Sequence, residues 1–226
     1  MALLAGLSAQ AQQPLKAHVE VNRNGHPARD ASAAVIWLTP LGTTVDAPRQ
    51  DAAHIPQLAQ KNKHFEPSLV VIPVGGKVEF PNRDPFFHNV FSLFDGKRFD
   101  LGLYESGTTR FVQFDKPGVS FIFCNIHAQM SAVVVALATP YYGISDAHGD
   151  VTIPAVPPGR YAFQVFHAGV TAPELRALNR EITVSAGDIT LGNVTLVESD
   201  VTGEHKNKYG RDYDRPEPES PAYTRQ

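Results

Sequence analysis

The chain holds one cysteine and two methionines. The cysteine, a histidine and a methionine fall within one short stretch, Cys124-Asn-Ile-His127-Ala-Gln-Met130, or C-x2-H-x2-M. A thiolate, an imidazole and a thioether at that spacing can face one point if the stretch is a loop. Structural zinc takes cysteine, histidine and carboxylate, and a thioether suits it poorly. Copper cycling between two oxidation states is held by a thiolate and two imidazoles in a trigonal plane, with a weak thioether on the axis. The pairing of Cys124 with Met130 therefore points to copper, and it calls for a second imidazole from elsewhere. The stretch Asn82-Arg-Asp-Pro-Phe-Phe-His88-Asn89-Val-Phe-Ser92 offers His88. Taken singly, each residue has an ordinary use: cysteine as a small buried hydrophobe, methionine as gap filler, histidine as a surface polar group. Their joint order argues for a metal site.

The flanking sequence supplies strands to position these groups. Pro117-Gly118 opens an apolar run, Val119 to Cys124, and a second run, Ala132 to Leu137, follows the loop. Lys77 to Phe80 precedes the His88 stretch. Val35–Leu38, Leu69–Ile72, Arg110–Phe114, Tyr161–Phe166, Glu181–Val184 and Leu191–Val197 are further strand candidates. Short β-branched and aromatic runs separated by Gly, Pro, Asn and Asp predict an all-β protein built of sandwiches. Ala172 to Asn179 is the one candidate for a helical turn, with a plain loop as the alternative.

Read in order, Phe65-Glu-Pro, Gly75-Gly-Lys-Val-Glu-Phe-Pro-Asn82, His88-Asn89-Val, Pro117-Gly118 and Cys124-x2-His127-x2-Met130 resemble the cupredoxin signature over roughly Ala52 to Ala138. The short ligand loop is similar to that of the amicyanins, and the whole chain resembles plastocyanin-like proteins of the methylamine-utilisation type. The resemblance implies a Greek-key sandwich with one mononuclear type 1 (blue) copper. His88 would be the upstream imidazole, Cys124 the thiolate, His127 the partly exposed imidazole and Met130 the axial ligand. It also implies that the side chain of Asn89 ties the two ligand loops together. His64 is read as a surface residue of the first strand. His18, His26, His54, His148, His167 and His205 have no motif around them and are read as surface or structural.

A second pattern lies downstream. Asp146-Ala-His-Gly149 makes a turn into a strand, and Pro157-Pro-Gly159 another, leading into Tyr161. It resembles the carboxypeptidase regulatory-like domain, a small transthyretin-like β-sandwich, whose opening strands would come from His18–Val21, Asn24-Gly-His-Pro27 and Ala34–Leu38. Residues 16–45 and 140–197 would then form one discontinuous sandwich, with the copper domain, 52–138, spliced between its strands. A run of 58 residues alone makes a thin core. The alternative keeps 16–45 as extra strands of the copper domain.

Residues 1–15 read as the remnant of a signal peptide. An apolar stretch ends in Ala9-Gln10-Ala11, with cleavage expected after Ala11 and no basic opening segment. Export, to a periplasm or an equivalent compartment, is the expectation, and a lone thiol there needs an occupant such as a metal. A formal net charge of −3 gives no basic field for nucleic acid. No run approaches the about 18 apolar residues of a membrane span. Residues 199–226 are charged, proline-rich and poor in aliphatics, so a disordered tail is expected; a docking segment for a partner is the alternative.

These readings converge on a non-enzymatic electron carrier. Redox partner proteins would meet it at a patch around His127, surrounded by Phe86, Phe87, Ile126 and Ala128; the alternative places Phe86 and Phe87 in the core. Copper storage or delivery without redox turnover, and a two-sandwich scaffold with incidental copper, are the rival functions.

Overall fold

The computed structural model describes residues 14–43, 45–46, 48–93, 96–199 and 206–213. The signal-like stretch Met1–Ala11 lies outside the described residues, as do 200–205 and 214–226 of the tail. In chain order the first strands are β1 (Leu15–Arg23), β2 (His26–Pro27), β3 (Val35–Pro40), β4 (Ala59–Lys61), β5 (His64–Glu66), β6 (Leu69–Pro73), β7 (Lys77–Pro81) and β8 (His88–Ser92). There follow β9 (Phe99–Tyr104), β10 (Thr109–Gln113), β11 (Gly118–Phe123), β12 (Ser131–Leu137), β13 (Tyr142–Ile144), β14 (Asp150–Ile153) and β15 (Gly159–Phe166). A short helix, α1 (Ala172–Leu178), precedes β16 (Arg180–Val184) and β17 (Thr190–Glu198). The fold is all-β. Where the sequence left 172–179 open between helix and loop, α1 forms because Thr171 precedes it, Pro173 sits in its first turn, and the Glu174 carboxylate accepts from the Thr171 N–H and hydroxyl.

The chain divides into two compact units, Met1–Pro48 with Ala138–Thr202 and Arg49–Leu137 with Gly203–Gln226. In the first unit, β1 lies between β14, antiparallel, and β17, parallel, with β2 folded back on it. The second sheet runs β13-β3-β15-β16. Leu15, Ala17, Val19 and Val21 alternate with polar residues along β1, so one face of the strand is apolar. That face meets Ile36 and Leu38 of β3, Phe163 of β15 and Leu196 of β17 in one core. The Asp146–Gly149 turn needs its glycine twice over: φ is 88° there, and a Cβ would lie 2.0 Å from the Val19 carbonyl oxygen.

The second unit has a five-stranded sheet, β6-β12-β11-β8-β9, together with the pairs β7–β10 and β4–β5. Phe80, Phe114, Ile122, Val134, Cys124 and Met130 belong to its buried core. The Phe99 ring lies 5.9 Å from Phe80 and 6.2 Å from Phe114, centroid to centroid, within the usual range of aromatic pairs. β11 and β12 form a hairpin whose register ends at Phe123 opposite Ser131, so the loop between them is 124–130. Antiparallel pairing of Phe123 with Phe91 lays the end of β11 beside the last residues of β8. The part of the tail that is described, Lys206–Tyr213, is a turn organised by Asn207. The side-chain oxygen of Asn207 accepts from the N–H groups of Tyr209 and Arg211. This differs from the disorder expected for that stretch: its composition cannot bury a core, and hydrogen bonds hold it instead.

Candidate metal centre

Two backbone bonds close the ligand loop. The Cys124 N–H donates to the Met130 carbonyl at 3.2 Å, and the Met130 N–H to the His127 carbonyl at 3.1 Å. The loop thus returns Met130 beneath Cys124, and both side chains are fully buried in the same core cluster. His88, also fully buried, enters from the start of β8. His127 is half-buried at the middle of the loop.

The Cys124 Sγ lies 3.6 Å from His88 Nδ1 and 3.6 Å from His127 Nδ1. All three atoms lie within 4.8 Å of one another, and the two imidazole rings are 4.9 Å apart. Sulfur and nitrogen donors sharing a first-row metal sit at about 2.3 Å and about 2.0 Å from it; at angles between tetrahedral and trigonal they are then separated by roughly 3.6 Å. The donor set therefore fits one metal ion.

The electrostatics favour neutral imidazoles. Burial pushes His88 down, against the pull of Asp84. His127 is pushed down to about 4, first by burial and then by His88 and Lys63. Burial pushes the Cys124 thiol up, while the N–H groups of Asn89, Ile126 and His127, hydrogen-bonded to its sulfur, act in the opposite direction. A thiol has one proton and can satisfy only one of the two nitrogens aimed at it. Three electron-rich donors turned inward in a buried site are what a cation reconciles.

Asp84, which sequence reasoning passed over, orients His88. Its Oδ2 is 2.8 Å from His88 Nε2. Burial raises the Asp84 carboxyl, but hydrogen bonds from the Lys63 N–H, His88 and the Asn62 N–H together hold it below the usual carboxylate range. An ionised Asp84 accepts, so the His88 proton sits on Nε2 and Nδ1 presents its lone pair to the sulfur side. Asn82 shapes this corner. Its side-chain oxygen accepts from the Asp84 N–H, and its amide donates to the Phe86 and Tyr104 carbonyls. The only sequence signal for the pair was an Asp four residues before a candidate ligand.

Asn89 departs from its expected role. Its side-chain amide donates to Asp100 Oδ1 at 2.7 Å rather than to the ligand loop. Its backbone N–H acts on the Cys124 thiol, pulling it down against the effect of burial. His64 is exposed on β5. Phe86 packs on both imidazoles, with centroids 5.2 and 5.7 Å away, while Phe87 and Ile126 are exposed.

No protein-family model matches the chain, and no curated protein matches it. Solved structures do. A purple cupredoxin from Nitrosopumilus maritimus matches at 23% identity over 36% of this chain and 99% of its own, with a TM-score of 0.33. A copper-containing nitrite reductase from Thermus scotoductus SA-01 matches at 22% identity over 45% of this chain and 26% of its own, with a TM-score of 0.37. A reduced Cu(I) form of an amicyanin mutant matches at 18% identity over 45% of this chain and 98% of its own, with a TM-score of 0.35. Likenesses this distant do not assign the site, and its own side chains must do so.

Proposed function

We propose that this chain is an exported type 1 copper protein that carries single electrons, with His88, Cys124, His127 and Met130 as ligands of one copper ion. The observation that carries this reading is the buried Cys124 Sγ with two imidazole nitrogens each 3.6 Å away. The fully buried methionine that closes the same loop supports copper over zinc, since a thioether belongs to the soft end of the ligand scale. Copper bound there would supply a one-electron couple. The chain's own residues do the rest. Asp84 fixes the tautomer of His88, three backbone N–H groups stabilise the thiolate, and the closed loop keeps the donors from rearranging when the charge changes.

Electrons would pass at His127. Phe87, 56% exposed, and Ile126, 46% exposed, offer a small apolar surface near it, suited to the brief, limited interfaces of redox encounters. The first unit, with two sheets over one core, is read as a non-catalytic accessory sandwich of the carboxypeptidase regulatory-like kind, and no catalytic step is proposed for the chain. Among the described residues no helix is long and apolar enough to cross a membrane.

The test is an absorption and electron paramagnetic resonance spectrum of the Cu(II)-reconstituted protein. An intense thiolate-to-copper band, lost in Cys124→Ser, is expected. Copper bound without colour excludes a type 1 site. A blue protein that exchanges electrons slowly and yields its copper readily to an acceptor is a delivery protein instead.

A further inference from the structure

The donors come from two stretches of chain, 82–92 and 124–130; a third stretch hydrogen-bonds to the second directly and reaches the first through Asp100 of β9. The Tyr213 hydroxyl donates to the carbonyl oxygen of Cys124 at 2.6 Å. The Lys208 N–H donates to Asn125 Oδ1 at 2.9 Å. The Lys208 ammonium pairs with Asp100 Oδ2 at 2.8 Å, and Asp100 Oδ1 accepts from the side chain of Asn89, the residue that follows His88. The β11–β12 ladder ends at Phe123, so the carbonyl of Cys124 lies beyond its last rung. A buried carbonyl needs a donor, and Tyr213 provides it.

We propose that Tyr213 and Lys208 are positioning residues of the metal centre: they strap Lys206–Tyr213 onto Cys124, Asn125 and Asp100 and so fix the thiolate relative to the His88 stretch. The segment has few apolar side chains to bury, so its directional bonds, rather than general packing, hold it there. Those bonds end on the thiolate ligand itself, on its neighbour, and on the acid that holds the neighbour of His88. The redox consequence rests on the copper reading above; the strap itself does not.

The test uses the full chain with Tyr213→Phe, which removes one hydroxyl, and Lys208→Gln, which removes one ion pair. The first measurement is the rate at which iodoacetamide alkylates Cys124, the single cysteine, in metal-free protein at fixed pH. Loss of one such hydrogen bond should speed labelling roughly two- to tenfold, beyond what any change in the global denaturation midpoint explains. The second is the reduction potential and thiolate band of the copper-loaded protein, both expected to shift in Tyr213→Phe. Unchanged labelling in both variants, or acceleration that only tracks global stability, overturns the proposal. Absence of a blue colour in the unaltered protein would sink the electron-carrier reading alone, because the labelling arm still decides the strap.

Discussion

Asp84 and His88 sit four residues apart on a loop and the strand it feeds, and the Asp84 carboxylate holds the far nitrogen of the His88 ring at 2.8 Å. That contact decides which imidazole nitrogen faces Cys124. It also explains how a fully buried histidine keeps one orientation before any metal arrives. Removing the carboxylate in Asp84→Ala should therefore weaken copper affinity by about 10- to 100-fold, the usual cost of losing a partner behind a ligand. Competition against a chelator measures this, and unchanged affinity would show that packing alone orients the ring.

If the chain holds type 1 copper as proposed, Met130→Leu should keep the blue colour and raise the reduction potential. The thiolate and imidazoles would carry the absorption, and the variant would lack a weak thioether donor that stabilises Cu(II). Leucine nearly conserves volume, so the fold should lose less than about 1.5 kcal/mol. Voltammetry alongside an absorption spectrum checks both halves; complete loss of copper binding contradicts the axial role.

Lowering the pH should destabilise the metal-free protein. An imidazole in the unfolded chain titrates near 6.5, whereas folded His127 is pushed down to about 4. Between those values the unfolded chain binds more protons, so stability is whole above the unfolded value and is lost as pH falls toward the folded one. Chemical denaturation at pH 7 and pH 5 should show that loss, smaller in His127→Gln. An equal loss in the variant would place the effect elsewhere.

Phe80 is fully buried and its ring meets Phe99 at 5.9 Å. Phe80→Ala should cost about 3–5 kcal/mol, read from denaturant unfolding with the copper band as the reporter for this unit. A cost below about 1 kcal/mol would mean that the core around the ligand loop refills the space.

Much of the centre was legible because its chemistry is local. Cys124, His127 and Met130 lie in one loop between two apolar strands, and donor type plus spacing singled them out with His88. The strand β8 was harder to read. His88, Asn89, Val90, Phe91 and Ser92 are all buried, so no alternation marks the strand, and its polar members look like a loop. Asn89 misled for a related reason: an amide can reach several neighbours, and only the packed position of Asp100 selects one. The turn over 206–213 was not legible because composition reports whether a segment can bury a core, and says nothing of hydrogen bonds to a surface already folded.

By itself the sequence determined the all-β character, the four candidate donors and their kinship with soft-metal chemistry, since side-chain type, strand periodicity and loop spacing are properties of neighbours along the chain. Tertiary structure alone decided that Phe91 pairs with Phe123, that Asp84 stands behind His88, and that Tyr213 bonds to the carbonyl of Cys124. Those contacts join residues far apart in the chain or on different elements. Their energies depend on burial and direction, which exist only once the sheets have closed around the site.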